Sequence, residues 1–279
     1  MFIGDYHIKI VPDVEFWLDG GAMFGVVPRV LWERVSPPDA LNRIRLNANC
    51  LFIETLIEKI LIETGMGDKW ATRQREMYGI KRTRSLSESL KEIAGVGPEE
   101  ITIVVNTHLH FDHAGGNTRF GEEGRIIPTF PNARYLVSRS EFEQAENPHE
   151  RHRASYLSEN WQPLVQSGQL ELKEDDYEVV PGLRMETIAG HSRTMQCVRL
   201  EREGKTLFGF ADLVPTRAHI PFAWMMGYDL YPVETLEAKK RLLPQAARED
   251  WICWFYHDAD EPLSRLIEEN GKLKALKTE

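Results

Sequence analysis

Cysteine is scarce in this 279-residue chain: there are three, Cys50, Cys197 and Cys253, far apart and without a C-x-x-C pair. That spacing excludes the usual thiolate zinc and redox motifs, and the three are read as reduced, buried and structural. No apolar run approaches the roughly eighteen residues that a membrane span requires. The first sixteen residues, MFIGDYHIKIVPDVEF, have no apolar core of the secretory kind. A cytoplasmic location without a membrane partner is therefore expected. Positive charge is in deficit as well, with 34 Lys and Arg against 43 Asp and Glu and a net charge of −9. Such a surface repels phosphate backbones, so nucleic acid is not expected as a partner. There is no G-x-S-x-G elbow, no catalytic type of cysteine setting, no internal repeat and no low-complexity linker. What is present is 42% hydrophobic residues in a length suited to one large domain. Residues 1–279 are read as that single domain.

The apolar pattern mixes strands and helices. Cys50–Glu54 and Lys59–Glu63 read as a hairpin, and SLSESLKEIAG as a helix that starts on serine caps and stops at Gly95. Ile101–Thr107 is a short β-branched run of the buried-strand type. Ala133–Ser138, Leu183–Gly190 and Gly204–Asp212 follow as strands, and the residues about 139–167 form a polar, broadly helical segment. An amphipathic helix with Leu236, Leu242 and Leu243 inward begins at Pro232, and WICWFYHD is a last buried strand. Without a βαβ repeat of fixed period, this order suggests two sheets covered by helices, an α/β (α+β) class.

One stretch stands out chemically. THLHFDHAGG, residues 107–116, places His108, His110, Asp112 and His113 within six positions at the end of a predicted buried strand. Loops at strand ends are held by a rigid sheet yet open to solvent, which is where ligands collect. Three further strands run into a residue able to bind metal: IAGHS gives His191, GFAD gives Asp212 and FYHD gives His257. Gly115 and Gly116 serve either a tight turn beside the cluster or plain helix packing. Asp258 is a candidate to orient a ligand histidine, and equally an exposed aspartate. His149 and His152, in the polar segment, are read as surface histidines.

This combination resembles the metallo-β-lactamase-fold hydrolases, whose signature is H-x-H-x-D-H followed by a distant His, Asp and His. The resemblance covers nearly the whole chain and implies an αββα four-layer sandwich. It also implies two divalent metal ions, zinc first, with manganese or iron as alternatives. His108, His110 and His191 would hold one ion, Asp112, His113 and His257 the other, and Asp212 would bridge them. Imidazole and carboxylate donors suit all three metals. Paired cations supply hydroxide near neutral pH and polarise the bond to be cleaved.

Within that superfamily the chain looks closest to the N-acyl-homoserine lactonases of quorum quenching. LDGGAMFGVVP resembles their N-terminal loop, and PNARYLVSRSEFEQA with DDYEVVPGLRMETIAGHS resembles their central segment. The resemblance implies a small-molecule acyl lactone or ester substrate. Met23, Phe24 and Val26 would meet its acyl chain, with Trp224, Met225 and Met226 as the opposite wall, although apolar residues of this kind also simply fill cores. Asp112 would be both ligand and catalytic residue. The lactonases carry a tyrosine three residues after the bridging aspartate, where this chain has Pro215. Tyr228 is the substitute candidate, or only a packed aromatic with its hydroxyl at the surface. A phosphotriesterase or phosphodiesterase, and a metal-binding sensor without turnover, are the competing expectations. Apolar residues in VVPRVLW suggest either a homodimer surface or interior packing.

Overall fold

The computed structural model describes residues 1–277, so the last two residues of the expected 1–279 domain lie outside the described residues. The first sheet contains β1 (Phe2–Ile3), β2 (Tyr6–Asp19), β3 (Arg43–Glu54), β4 (Lys59–Ile62) and β5 (Ile103–Val105). A separate hairpin, β6 (Thr118–Phe120) and β7 (Ile126–Pro128), precedes the sheet's last members, β8 (Arg134–Ser138) and β9 (Leu170–Lys173). The strand order is β1-β2-β3-β4-β5-β8-β9. The expected hairpin is β3 against β4, with Leu51 opposite Ile62, while β4, β5, β8 and β9 run parallel. Parallel strands lie buried on both faces, which is why KILI and IVV read as continuous apolar runs.

The second sheet takes its strands in sequence order: β10 (Tyr177–Val180), β11 (Leu183–Thr187), β12 (Gln196–Arg202), β13 (Lys205–Gly209), β14 (Ile252–Trp254), β15 (Leu263–Glu269) and β16 (Lys272–Lys277). β11, β12 and β13 alternate in direction, and β14 then lies parallel to β13. β11, β13 and β14 consequently end on the same side of the sheet. His191, Asp212 and His257 follow those three ends.

The chain divides into two compact units, Met1–Glu15 with Ala48–Tyr177, and Phe16–Asn47 with the residues from 178 onward. In the first, the helix Leu86–Ala94 is bounded as its sequence predicts. Ser85 accepts from the Glu88 N–H, the Glu88 carboxylate accepts from the Ser85 N–H, and Gly95 ends the helix in the left-handed region. Its Leu86 and Leu90 pack into a core with Phe52, Leu61, Val104 and Tyr135. In the second unit, the helix Pro232–Arg248 places Leu242 and Leu243 in a core with Phe208, Phe210 and Trp251. Leu236, expected inward, is only half-buried, and Lys239 occupies the interior instead. The polar segment resolves into the helices Arg139–Glu146 and Gln162–Ser167 joined by short turns. All three cysteines are buried and unbridged. Among the described residues, no helix is long and apolar enough to cross a membrane.

Leu90 is completely enclosed. Leu90→Ala is expected to reduce the free energy of unfolding by about 2–5 kcal/mol through lost burial and the cavity left behind. Urea titration checks this, and an unchanged midpoint would remove that helix from the core.

Candidate metal centre

In the first unit the chain leaves β5 through Asn106 and Thr107, then makes a single helical turn, Phe111–Ala114. The His108 ring centroid lies 4.5 Å from that of His110 and 4.0 Å from that of His113. These three and Asp112 are all buried. Crowding polar rings away from water is unfavourable unless they have partners, and for His113, and through Thr107 for His108, that partner is Glu63, immediately after β4. Its side chain is also buried, and Oε1 lies 3.1 Å from His113 Nδ1. The Thr107 hydroxyl donates to the same oxygen and stands 3.0 Å from His108 Nδ1. A carboxylate only accepts, so His113 Nδ1 carries its proton. A threonine hydroxyl already donating must accept, so His108 Nδ1 carries one too. Both rings are thereby fixed in the tautomer with Nε2 as the ligand nitrogen. Glu63 achieves this at φ 65°, a left-handed backbone conformation uncommon outside glycine.

The main chain of the motif is held as firmly. The Leu109 N–H donates to buried Glu141 at 2.8 Å, and the Tyr156 hydroxyl donates to the same carboxylate oxygen at 3.0 Å. Gly115 and Gly116 admit the chain that follows β4: a Cβ would stand 2.2 Å from the Met66 carbonyl oxygen at one and 2.2 Å from that of Thr64 at the other. Backbone approach, rather than the torsion at Gly115, demands glycine there.

The second unit carries a matching construction. Asp212 Oδ1 lies 3.2 Å from His257 Nε2, and Oδ2 lies 3.5 Å from His191 Nε2. His191 Nδ1 faces the Asp229 carboxylate at 3.1 Å, and His257 Nδ1 faces the Asn47 carbonyl at 3.0 Å. Both of those oxygens accept only, so each Nδ1 bears the proton and each Nε2 turns a lone pair towards Asp212. Lone pairs facing a carboxylate at such distances call for positive charge between them, which a divalent cation supplies. The donor set therefore fits metal on the chemistry of its own atoms.

A family model described as the Metallo-beta-lactamase superfamily matches residues 43–257. The chain belongs to the metallo-beta-lactamase superfamily. An N-acyl homoserine lactonase of Bacillus thuringiensis is 31% identical over 246 residues, covering 82% of this chain and 87% of that relative. The crystal structure of a probable metal-dependent hydrolase from Staphylococcus aureus superposes with a TM-score of 0.91 at 29% identity, over 100% of this chain and 99% of that one. An N-acyl homoserine lactone hydrolase, solved with the product N-hexanoyl-L-homoserine at its catalytic metal centre, gives 0.68 at 26% identity over 93% and 95%. This member of the superfamily has the metallo-β-lactamase fold and is a metal-dependent hydrolase.

The other residues singled out in this superfamily member take varied places. Met23 and Phe24 are buried, with Phe24 stacked between Trp32 and His219 at centroid distances of 5.2 and 4.6 Å. Val26 is 90% exposed and Val30 and Leu31 are exposed too, whereas Trp32 of VVPRVLW is interior. Met226 is buried, Trp224 and Met225 are half-buried, and Tyr228 is exposed. The two stretches expected as opposite walls run side by side, since the Gly227 N–H donates to the Ala22 carbonyl at 2.7 Å. Gly25, at φ 55°, makes room for the Met225 carbonyl. Pro215 is buried, and its carbonyl accepts from the His257 N–H at 2.9 Å.

Two expectations are corrected. Asp258 is buried rather than exposed, and its carboxylate accepts from the Arg217 guanidinium at 2.9 and 3.0 Å, from the Arg217 backbone N–H at 2.9 Å and from the N–H groups of Asp260 and Glu261. His152 is buried, not at the surface like His149, with its ring edge-on to His110 at 4.8 Å. A bridge between His110 and Tyr156 folds the polar segment back over the motif, which its local composition does not disclose. Sequence reading also missed Trp70 and Tyr78, whose rings lie 5.2 Å from that of Phe111, beside Asp112. Burial, with the Asp112 charge second, raises the Tyr78 pKa.

His219 is fully enclosed; its Nε2–H donates to the Met23 carbonyl at 2.9 Å and its Nδ1 accepts from the Thr216 hydroxyl at 2.8 Å. Burial pushes its pKa down to about 3 from 6.5. The folded state keeps the ring neutral, so the unfolded chain binds the extra proton between those values, and stability falls as pH drops below 6.5. The loss relative to His219→Gln should reach about 2 kcal/mol between pH 7 and pH 5. Equal pH slopes for the two proteins in urea unfolding would refute the assignment.

Proposed function

We propose that the chain opens lactones by hydrolysis, with N-acyl homoserine lactones as the first substrate class and residues 1–279 acting as one catalytic domain. The observation that carries the reading is the Asp212 carboxylate set between His191 and His257, each imidazole backed by an acceptor. Hydrolysis of ester-like bonds is what such an array suits, and the lactonase relatives supply the substrate class. His108, His110 and His191 are assigned to one ion, Asp112, His113 and His257 to a second, and Asp212 to both, with zinc as the first choice. Bound there, two divalent cations would acidify water and polarise a carbonyl oxygen.

The chain's own residues then divide the work. Glu63, Asp229 and the Asn47 carbonyl hold the imidazoles in their ligating tautomer, so no reorganisation is needed during the reaction. Asp112 is assigned a second task, orienting the attacking water. That water's oxygen bonds to the carbonyl carbon, the ring C–O bond breaks, and the leaving alkoxide takes a proton to give a hydroxy acid. Pro215 has no proton to give, so Tyr228 is the candidate donor. Trp70, Tyr78 and Phe111 form an apolar surface beside Asp112, and Trp224 and Met225 are assigned to the acyl chain.

Mass-spectrometric metal analysis of protein purified without chelator, paired with proton release from N-decanoyl homoserine lactone, tests the reading. Two ions per chain with ring opening abolished by chelator are expected. Metal-loaded protein that cleaves only an aryl phosphotriester would redirect it to phosphoesters, and a fully active metal-free protein would end it. Asp229→Ala should weaken metal binding roughly 10- to 100-fold by releasing His191, as read by competition with a fluorescent chelator.

A further inference from the structure

Lys239 lies on the interior face of the helix Pro232–Arg248, where the sequence pattern calls for an apolar side chain, and none of its surface reaches solvent. Its ammonium donates to the carbonyls of His219 at 2.6 Å, Pro221 at 2.9 Å and Trp224 at 2.7 Å. An ammonium has three N–H groups and no acceptor, so every donor of this buried group is engaged with one six-residue stretch of backbone. Burial lowers the Lys239 pKa to about 7, against the opposing pull of the Asp229 carboxylate. A group so disfavoured in the interior persists where its charged form is fully hydrogen-bonded, as it is here.

The stretch that it holds is anchored at its start by the His219 ring, bound to Met23 and Thr216, and its path beyond that residue is irregular. Residues 220–231 contain no strand or helix, Pro221 lacks a backbone donor, and Pro221, Phe222 and Ala223 are exposed. Between Pro221 and Met226 the main chain provides a turn, the Trp224 N–H to the Pro221 carbonyl at 2.9 Å, and its bonds to other segments come only later, from the N–H groups of Gly227 to Ala22 at 2.7 Å, Leu230 to His191 at 3.0 Å and Tyr231 to Gly190 at 3.0 Å. Yet the stretch leads directly into Trp224, Met225, Met226 and Tyr228. Its far side is set against the Ala22–Gly25 turn, and Trp224 meets the Phe24 ring edge-to-face at 5.6 Å.

We propose that Lys239 is a positioning residue for substrate binding: it fixes the carbonyls of residues 219–224, and through them Trp224 and Met225, without touching the reacting bond. This rests on the assignment of those two side chains to the substrate. The consequence is a separation of roles. Removing the ammonium should loosen the grip on the acyl chain while the ligands stay in place, because the ligand histidines donate to Asp229, the Asn47 carbonyl, Glu63 and Thr107, none of which accepts a hydrogen bond from Lys239.

The experiment compares the full-length metal-loaded protein with Lys239→Met, which keeps the length and apolar stem and removes all three donors. Metal content, hydrogen exchange of peptides covering 217–230, and kinetics on N-decanoyl homoserine lactone are measured. Metal content is expected to hold, exchange across 217–230 to accelerate, and KM to rise roughly tenfold with kcat within about threefold, the pattern of lost ground-state binding. An unchanged KM, or a fall in kcat alone, overturns the proposal. If Lys239→Met does not accumulate folded, Lys239→Gln, which keeps two donors, is measured for the same split at smaller size. Wild-type protein that opens no lactone defeats the substrate assignment alone; unchanged exchange in the variant then still overturns the role of Lys239.

Discussion

An acceptor stands behind four of the candidate ligand imidazoles, and the rest of the structure depends on those contacts. Neutral imidazole has one protonated and one lone-pair nitrogen, and only the second can bind a metal. Left in water, the ring samples both tautomers and many orientations. Here Glu63, Asp229, Thr107 and the Asn47 carbonyl remove that freedom before any ion arrives. Their placement explains otherwise unfavourable features, including the left-handed backbone at Glu63 and four polar side chains of one short motif closed off from solvent.

The strands set where these residues can act. Because β13 and β14 are parallel neighbours, residues shortly after each end come out together, which places His257 within 3.2 Å of Asp212. β11 points the same way with β12 between, and the short run from its end to His191 reaches the other carboxylate oxygen. In the first unit, β4 and β5 do the same for Glu63 and the histidine motif. The ladders are apolar and buried, so the polar residues beyond them inherit a rigid origin.

Much of this was legible in the sequence. The hairpin of β3 and β4, the capped helix Leu86–Ala94 and the strands leading into His191, Asp212 and His257 carry local signals, because their periodicity and caps lie within a few residues. The motif itself is local, since four metal-capable side chains occur in six positions. What stayed hidden is long-range. Glu63 lies 50 residues from His113, Asp229 38 from His191, and Asn47 210 from His257. No window of sequence contains both members of such a pair. His152 was misplaced for the same reason: its neighbours are polar, yet the chain turns it onto His110. Lys239 is not legible either, because a lysine on an apolar stripe ordinarily belongs to the edge of a helix face, and only the backbone carbonyls reveal why it goes inside. β2 and the terminal hairpin of β15 and β16 lie outside the segments whose local pattern predicts a strand.

The parallel pairing of β13 with β14 has a consequence for how such a protein diversifies. Two parallel neighbours must be joined by an excursion, and here it runs from Phe210 to Trp251, carrying Asp212 near its start and the helix Pro232–Arg248 near its end. The ladder fixes both ends of that excursion whatever happens in the middle. Descendants can lengthen, shorten or recompose residues 220–228 and explore new ligands, while Asp212, Asp229 and His257 keep their places. Heritable novelty and retained chemistry are thereby assigned to different parts of one crossover.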